Sequence, residues 1–515
     1  MRFARSPLLA GLIMLAACGC GEVKHVPGKQ CAIDLRIHTP PDQDTWEGVA
    51  SLRVTIEIPG TESLVSIVDV SSAELVLGGS PASSVVLTIE GLGLDGQTVI
   101  SSGRSPPFEL SEGDPAELEV LFARKGEFTK LGDLGHARFA HAAAALPDGR
   151  VLFFGGASEG ERGSPKNFRP PEIYDPALQT SCAADDAGCP DFPEADRRVG
   201  HTLTATPQGR VLVFGGENEQ GSLVEPILLF DPATSTFREL GNYDPADVES
   251  RTKHAAVLFS LRDGAEGRDT ILVAGGEIGP NGQRSLTASA LLFDVLAETF
   301  TRTDLSLVHP RHDFSLTSFG PGRHDVLAAG GLSANGLLDS CELFDGTVFS
   351  NITPSGEHAR GGLLTPRIDH VAIGTDDGVL IIGGDNSFQS IDAPEIYLAD
   401  AEAGSGFFVL DTGEEPAGHE ARRGLVAARL PNADILYAAG EAYDGFEDTL
   451  LSSAELAHID QEALSASFSA TNALGRQIAF ASVSLLTTGG LLIAGGFVNS
   501  ADGPCASAEV WYYNP

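Results

Sequence analysis

The phrase "VLFFGGASEG" at 151–160 returns as "VLVFGGENEQ" at 211–220 and "ILVAGGEIGP" at 271–280. Four buried-type apolar residues followed by two glycines read as a short strand that leaves a tightly packed layer through backbone angles a Cβ would oppose. The same signature continues at Gly330 and Gly331, Gly383 and Gly384, and Gly495 and Gly496, with the pairs Gly155–Gly156, Gly215–Gly216 and Gly275–Gly276 opening the series. A degenerate copy, "LYAAG", puts Ala439 where the first glycine belongs. Successive copies stand 60, 60, 55, 53, 56 and 56 residues apart, room for four short strands and their turns in each of seven units.

Each unit has the same internal order. An arginine comes first: Arg138, Arg198, Arg251, Arg311, Arg367, Arg423 and Arg476. Three residues later stands His141, His201, His254 or His370, with Phe314, Val426 and Ala479 in the other copies. A small-residue strand follows, then a turn such as "PDGR" or "PQGR", the Gly-Gly strand, a variable loop, and a third strand such as "PEIYDP" (171–176) or "CELFDG" (341–346). A weaker fourth strand often carries an aromatic, as in "TFREL" (236–240). The glycines and arginines are therefore read as structural, each arginine expected to reach Glu172, Glu342, Glu395, Glu455 or Glu509, or a strand carbonyl. No helix pattern or Lys-Ser/Thr follows the glycines, so they do not read as a phosphate loop.

This order resembles the kelch-type β-propeller over 126–515, with the fourth-strand Trp of that family replaced by Phe or missing. The resemblance implies an all-β ring of seven blades. The last unit ends after its third strand, and "GEFTKLGDL" (126–134) resembles the inter-unit strands, so residues 127–131 are expected to complete the seventh blade and leave no open edge. The radical-copper oxidases share a similar ring, but Tyr is scarce here and no Cys lies in the first unit's inner strands, which argues against that chemistry. No catalytic residue, cofactor or metal set is assigned. The histidines of the repeated position are explained first by architecture, and His309, His312 and His324, the densest local group, lack metal-like spacing.

Before the ring, segments of 31–124 alternate apolar and polar residues between Gly, Pro and Ser turns, which favours a small β-sandwich of immunoglobulin or fibronectin type with Trp46 packed in or against its core. Residues 1–17, with Arg2 and Arg5 ahead of an apolar run, read as an export signal too short to span a membrane. "LAAC" at 15–18 resembles a bacterial lipobox, which implies acylation of Cys18; cleavage nearby by an ordinary secretory route is the alternative. Residues 18–30 would then form a tether. Among the remaining cysteines Cys182 and Cys189, flanking a small polar loop, are the favoured disulfide pair.

The formal charge is −38, which repels phosphate backbones and excludes nucleic acid as a ready partner. The expected function is a lipid-anchored binding or scaffold protein of the bacterial envelope, recognising a protein or polysaccharide through ring loops at 157–170, 217–224, 277–287, 385–392 and 441–452. The alternative is a carbohydrate-active or oxidase-type enzyme seated in those loops.

Overall fold

In the computed structural model the described residues are 10–14, 32–69, 82–111, 116–161, 163–183, 197–241, 243–263, 266–320, 323–356, 358–401, 404–413, 420–500 and 503–515. Cys18, the 18–30 tether, Cys20, Cys31 and Cys189 lie outside them. The described chain is all-β and propeller-like: it carries seven four-stranded antiparallel sheets, and six of them are each built from the strands of a single repeat.

The Gly-Gly strands, Val151–Phe154 in the first sheet and Val211–Phe214 in the second, are buried along their whole length and pair on both sides. Such apolar runs, covered on both faces, pack each sheet on the next. The first strands of the seven sheets begin at Ala142, Thr202, Ala255, Ser315, Ile368, Val426 and Ser482, and each neighbours the next in that order, with the last neighbouring the first. A hydrogen bond repeats the same circuit: the amide of the second glycine donates to the carbonyl of the following repeat's arginine, from Gly156 to Arg198 at 3.1 Å, Gly276 to Arg311 at 2.8 Å and Gly384 to Arg422 at 3.0 Å.

The seventh sheet takes strands from both ends of this region. Glu127–Lys130 pairs antiparallel with Val510–Asn514, in the register Glu127 to Asn514 and Lys130 to Trp511, and supplies the outer strand expected at 127–131.

Residues upstream form two further sheets. One runs in the order Leu64–Asp69, Ser51–Glu57, Ala82–Leu92, Val99–Arg104 and Ala123–Arg124. The other holds Ala32–His38 between Ala116–Leu121, to which it is parallel, and Ala10–Met14, part of the stretch read as an export signal. Ile33, Leu35, Val54, Ile56, Leu87, Ile89, Val120 and Phe122 close one core between them, and Trp46 packs on Phe122 with ring centroids 4.8 Å apart. The second of these sheets contains a parallel pair. The buried Asn514 side chain joins this unit to the seventh sheet, donating to the carbonyls of Ala123 at 2.7 Å and Ser102 at 3.1 Å.

Cys182 takes part in a disulfide, and Cys189, the partner favoured by the sequence, lies outside the described residues. Cys341 is a free, buried thiol whose pKa burial pushes up to about 12, and Cys505 is free and exposed.

Candidate functional site

The arginines lock the base of the loop face. Arg138, Arg198, Arg251, Arg311, Arg367 and Arg422 are each at most 1% exposed. Each donates from Nη1 to the carbonyl of the first glycine or its equivalent in its own repeat, at 3.0 Å to Gly155, 2.9 Å to Gly330 and 3.2 Å to Ala439. The same Nη1 reaches a carbonyl ahead of or opening the third strand, that of Pro170 at 3.1 Å and Ser340 at 2.8 Å. Carbonyls at a sheet margin that would otherwise be buried without donors are satisfied in this way.

Nη2 adds an ion pair in four sheets: Arg138 to Glu172 at 2.6 Å, Arg311 to Glu342 at 2.7 Å, Arg422 to Glu455 at 2.9 Å, and Arg367 to Glu395. Burial opposes the Glu172 carboxylate, but His136, Arg138, Ser181 and the Gly135 amide outweigh it and hold its pKa at about 2. At Glu395 burial wins and the pKa is raised. Leu228 and Leu291 replace the glutamate in the second and third sheets, where Arg251 uses the Ser289 hydroxyl at 2.9 Å instead.

Two sequence assignments are corrected. The sixth buried arginine is Arg422; Arg423 turns outward to Asp385 at 2.5 Å, Glu441 at 2.7 Å and Asp448 at 2.7 Å, its guanidinium 4.7 Å from the Tyr443 ring centroid. In the seventh repeat Arg476 is 43% exposed, and Ile478 takes the buried place, accepting the Gly440 amide at 2.8 Å. Opposite it Trp511, paired with Ile493, stands where other sheets carry glutamate, so Glu509 is two residues out of register. A spacing of 17 residues to the glycine pair recurs in the first, second and sixth repeats, but buried Arg311 and Arg367 stand 19 and 16 residues ahead of theirs, so spacing alone does not separate the candidates. Arg422-Arg423-Gly424-Leu425 also matches Arg198-Val199-Gly200-His201 at its glycine.

The histidines wedge between sheets. His141 Nε2 meets Ser482 Oγ at 2.8 Å, His201 Nε2 the Phe154 carbonyl at 3.1 Å, His254 Nε2 Thr202 Oγ1 at 2.9 Å and His370 Nε2 Ser315 Oγ at 2.9 Å, each partner lying in the preceding sheet. Burial first, and the adjacent buried arginine second, lower His141, His201 and His370 to about 3 and push His254 well below its ordinary value. These rings explain the first glycine: a Cβ on Gly155, whose φ is +62°, would lie 2.6 Å from His201 Cε1 and 2.2 Å from the Arg198 carbonyl. Ala439 is tolerated because the corresponding wedge is Ala481, which packs in the same cluster.

Two residues after each buried arginine or its replacement the chain is left-handed: Ala140, Gly200, Lys253, Asp313, Asp369, Gly424 and Phe480 all have φ between 52° and 67°. Their backbones bond from one repeat to the next, Lys253 N to Gly200 O at 2.9 Å, Asp313 N to Lys253 O at 3.4 Å, Gly424 N to Asp369 O at 3.1 Å and Phe480 N to Gly424 O at 2.8 Å. They form a belt around the axis of the circuit. No glycine pattern betrays it, since five of the seven positions carry side chains whose left-handed conformation only the surrounding contacts impose.

Beyond the belt, each glycine pair, or Ala439 and Gly440 in the sixth repeat, leads into an excursion on this same face. Paired segments form it in five repeats: Ala157–Glu161 with Ser164–Phe168, Glu277–Ile278 with Ser285–Leu286, Leu332–Ser333 with Gly336–Leu337, Glu441–Tyr443 with Asp448–Leu450, and Phe497–Ser500 with Gly503–Ala506. Single bridges, Glu217 to Leu223 and Asp385 to Ser390, form it in the other two. Between the third and fourth excursions lies a cleft of about 730 Å³ with Leu286, Leu337 and Leu338 beside Glu277, Arg284 and His312. Arg284 is engaged by Glu217 at 3.0 Å and the Gly221 and Gly279 carbonyls. The local histidines serve separate partners: His309 Nδ1 meets Glu342 at 3.3 Å, His312 Nδ1 meets Asp313 at 2.8 Å and His324 Nδ1 the Ser260 carbonyl at 2.6 Å. Among the described residues no three His, Cys, Asp or Glu side chains gather to hold a metal ion. The face offers fixed carboxylates, hydrogen-bonding groups and apolar patches on a rigid base, an arrangement suited to recognition.

No family model matches the chain. It is 26% identical over 281 residues to the tRNA wybutosine-synthesizing protein 4 of Saccharomyces cerevisiae, an alignment covering 51% of this chain and 35% of that protein. It is 30% identical over 219 residues to the putative adagio-like protein 2 of Oryza sativa subsp. japonica, covering 39% of this chain and 32% of that protein. In both cases the chain spans about a third of the relative's length.

Proposed function

We propose that residues 126–515 are a seven-bladed kelch-type propeller acting as a recognition scaffold for a protein or polysaccharide, held at a bacterial envelope membrane through acylated Cys18. The observation that carries this reading is the set of seven excursions on one face, each rooted on a glycine pair or, in the sixth repeat, on Ala439 and Gly440, and six of them backed by a buried arginine. A base so heavily bonded keeps its shape while the loops above it vary, which is how loop-borne binding sites are built. The lipobox-like "LAAC" and the polar stretch after it support the anchor, and the acidic charge favours partners other than nucleic acid. Cleavage ahead of Cys18 removes Ala10–Met14 and uncovers an edge of Ala32–His38 in the upstream unit.

The test is affinity capture from detergent-solubilised native envelope, with C-terminally tagged protein and Cys18→Ala run in parallel, alongside labelling with a palmitate analogue. The reading expects label on the wild type alone and the same retained partner with both forms. Failure to retain any specific protein or polysaccharide would overturn the recognition role, and equal labelling of Cys18→Ala would overturn the anchor.

A further inference from the structure

Two phenylalanines stand out on the fifth and sixth excursions. Phe388 is 78% exposed and Phe446 is 91% exposed. Single exposed apolar side chains are ordinary on protein surfaces. This pair differs because both rings are displayed by the same device on adjoining loops. Asn386 Oδ1 accepts the amides of Phe388 and Gln389, each at 3.0 Å. Asp444 Oδ1 accepts those of Phe446 and Glu447, at 2.9 and 3.0 Å. Each phenylalanine therefore sits two residues into an Asx turn that fixes its backbone.

The loops are also fastened to each other. Ser390 N donates to the Tyr443 carbonyl at 2.8 Å, and Tyr443 N donates to Ser390 Oγ at 3.0 Å. At the tips, a Cβ placed on Gly445 would lie 2.8 Å from the Phe388 carbonyl. Arg423 grips the roots of both loops through Asp385, Glu441 and Asp448. Little backbone ordering is left for a partner to impose, so the loops that carry the rings are set in advance of binding.

The setting is acidic. Arg423 is the cation at the roots and is held by three carboxylates, while Asp444 and Glu447 stand exposed at the second tip. An acidic rim repels anionic lipid headgroups, which disfavours insertion of the rings into a bilayer. It complements a basic polypeptide.

We propose that Phe388 and Phe446 form a paired aromatic anchor for a partner protein whose binding segment carries apolar side chains flanked by Lys or Arg. Buried aromatic anchors within a charged rim are the usual energetic centre of such contacts. The assignment deepens the recognition reading and rests on it.

The test uses the full chain and a Phe388→Ser/Phe446→Ser variant, whose melting should match the wild type because neither ring is buried. A displayed library of random 12-residue peptides is selected on each. Enrichment on wild type alone of sequences with Leu, Phe or Trp beside Lys or Arg, with at least tenfold weaker binding to the variant and weakening by salt, supports the anchor. Enrichment of the same peptides on both proteins, no enrichment, or binding of wild type to phosphatidylglycerol vesicles lost in the variant would each overturn it. If the variant still retains the envelope partner of the wild type, the anchor falls while recognition by the propeller stands.

Discussion

The amide of Gly496 donates to the carbonyl of Arg138 at 2.9 Å, the same contact that joins every other pair of neighbouring repeats. The last repeat is thus bonded to the first, and the outer strand Glu127–Lys130 completes its sheet. Closure by two chain segments makes the ring's stability depend on a short strand remote in sequence from the repeat it finishes.

Removing that strand should therefore loosen more than one sheet. Thr129 is buried and pairs with Tyr512, and proline there removes a donor from the ladder. Thr129→Pro is expected to cost about 1–3 kcal/mol through the lost ladder bond and the carbonyl it leaves unsatisfied. Calorimetry would show the whole ring transition shifted down; an unchanged transition would mean the clasp is dispensable.

Breaking one partner of a buried ion pair is costly, while replacing both can be neutral. Ile478 and Trp511 are this chain's own example of the second case, occupying the places of Arg138 and Glu172 in the seventh sheet. Arg367→Leu is expected to destabilise by about 3–5 kcal/mol. Arg367→Ile/Glu395→Trp should recover part of that loss in thermal melts, although the carbonyls of Gly383 and Ala393 still lose their donor.

Ala439 and Ala481 should be coupled. A histidine at 481 would press on the Cβ of Ala439, as His201 would on a Cβ at Gly155. Ala481→His alone should cost about 1–3 kcal/mol through overpacking. Adding Ala439→Gly should relieve part of that cost, and a double-mutant cycle by melting would read a favourable coupling. Additive effects would show that the two sites do not meet.

The wedge histidines predict an acid limb. Their folded pKa values lie below the ordinary 6.5, so between pH 6.5 and about 3 the unfolded chain binds protons that the folded ring refuses. Stability should be level above pH 6.5 and fall as pH drops below it. Glu172, held at about 2 rather than 4.5, adds loss in the same direction below pH 4.5, and Glu395, with its raised value, opposes it. Replacing His370 with Phe, the residue the fourth repeat carries naturally as Phe314, should flatten the limb; an unaltered slope in pH-dependent melts would remove His370 from the account.

The apolar strands and their period were legible because burial on both faces writes itself as "VLFF" and "VLVF". The clasp was legible because Glu127–Lys130 resembles the strand it stands in for. The arginine register failed at Arg423 and Arg476 for a physical reason. In one case two arginines are adjacent and only one faces inward; in the other an isoleucine does the packing without the charge. The axial belt was invisible, since left-handed Lys253, Asp313 and Phe480 owe their conformation to neighbours from other repeats. Phe388 and Phe446 read as ordinary loop residues until the loops were seen side by side.

The clasp also decides how the ring bears mechanical load. A pull from the N-terminal side enters through the upstream sheets and meets the ring first at the ladder between Glu127–Lys130 and Val510–Asn514. The Asn514 side chain, bonded to Ala123 and Ser102, ties the far strand back to the unit being pulled. Tension is thereby shared between ladder and side chain, and the six sheets built from single repeats stay out of the line of force until that junction yields.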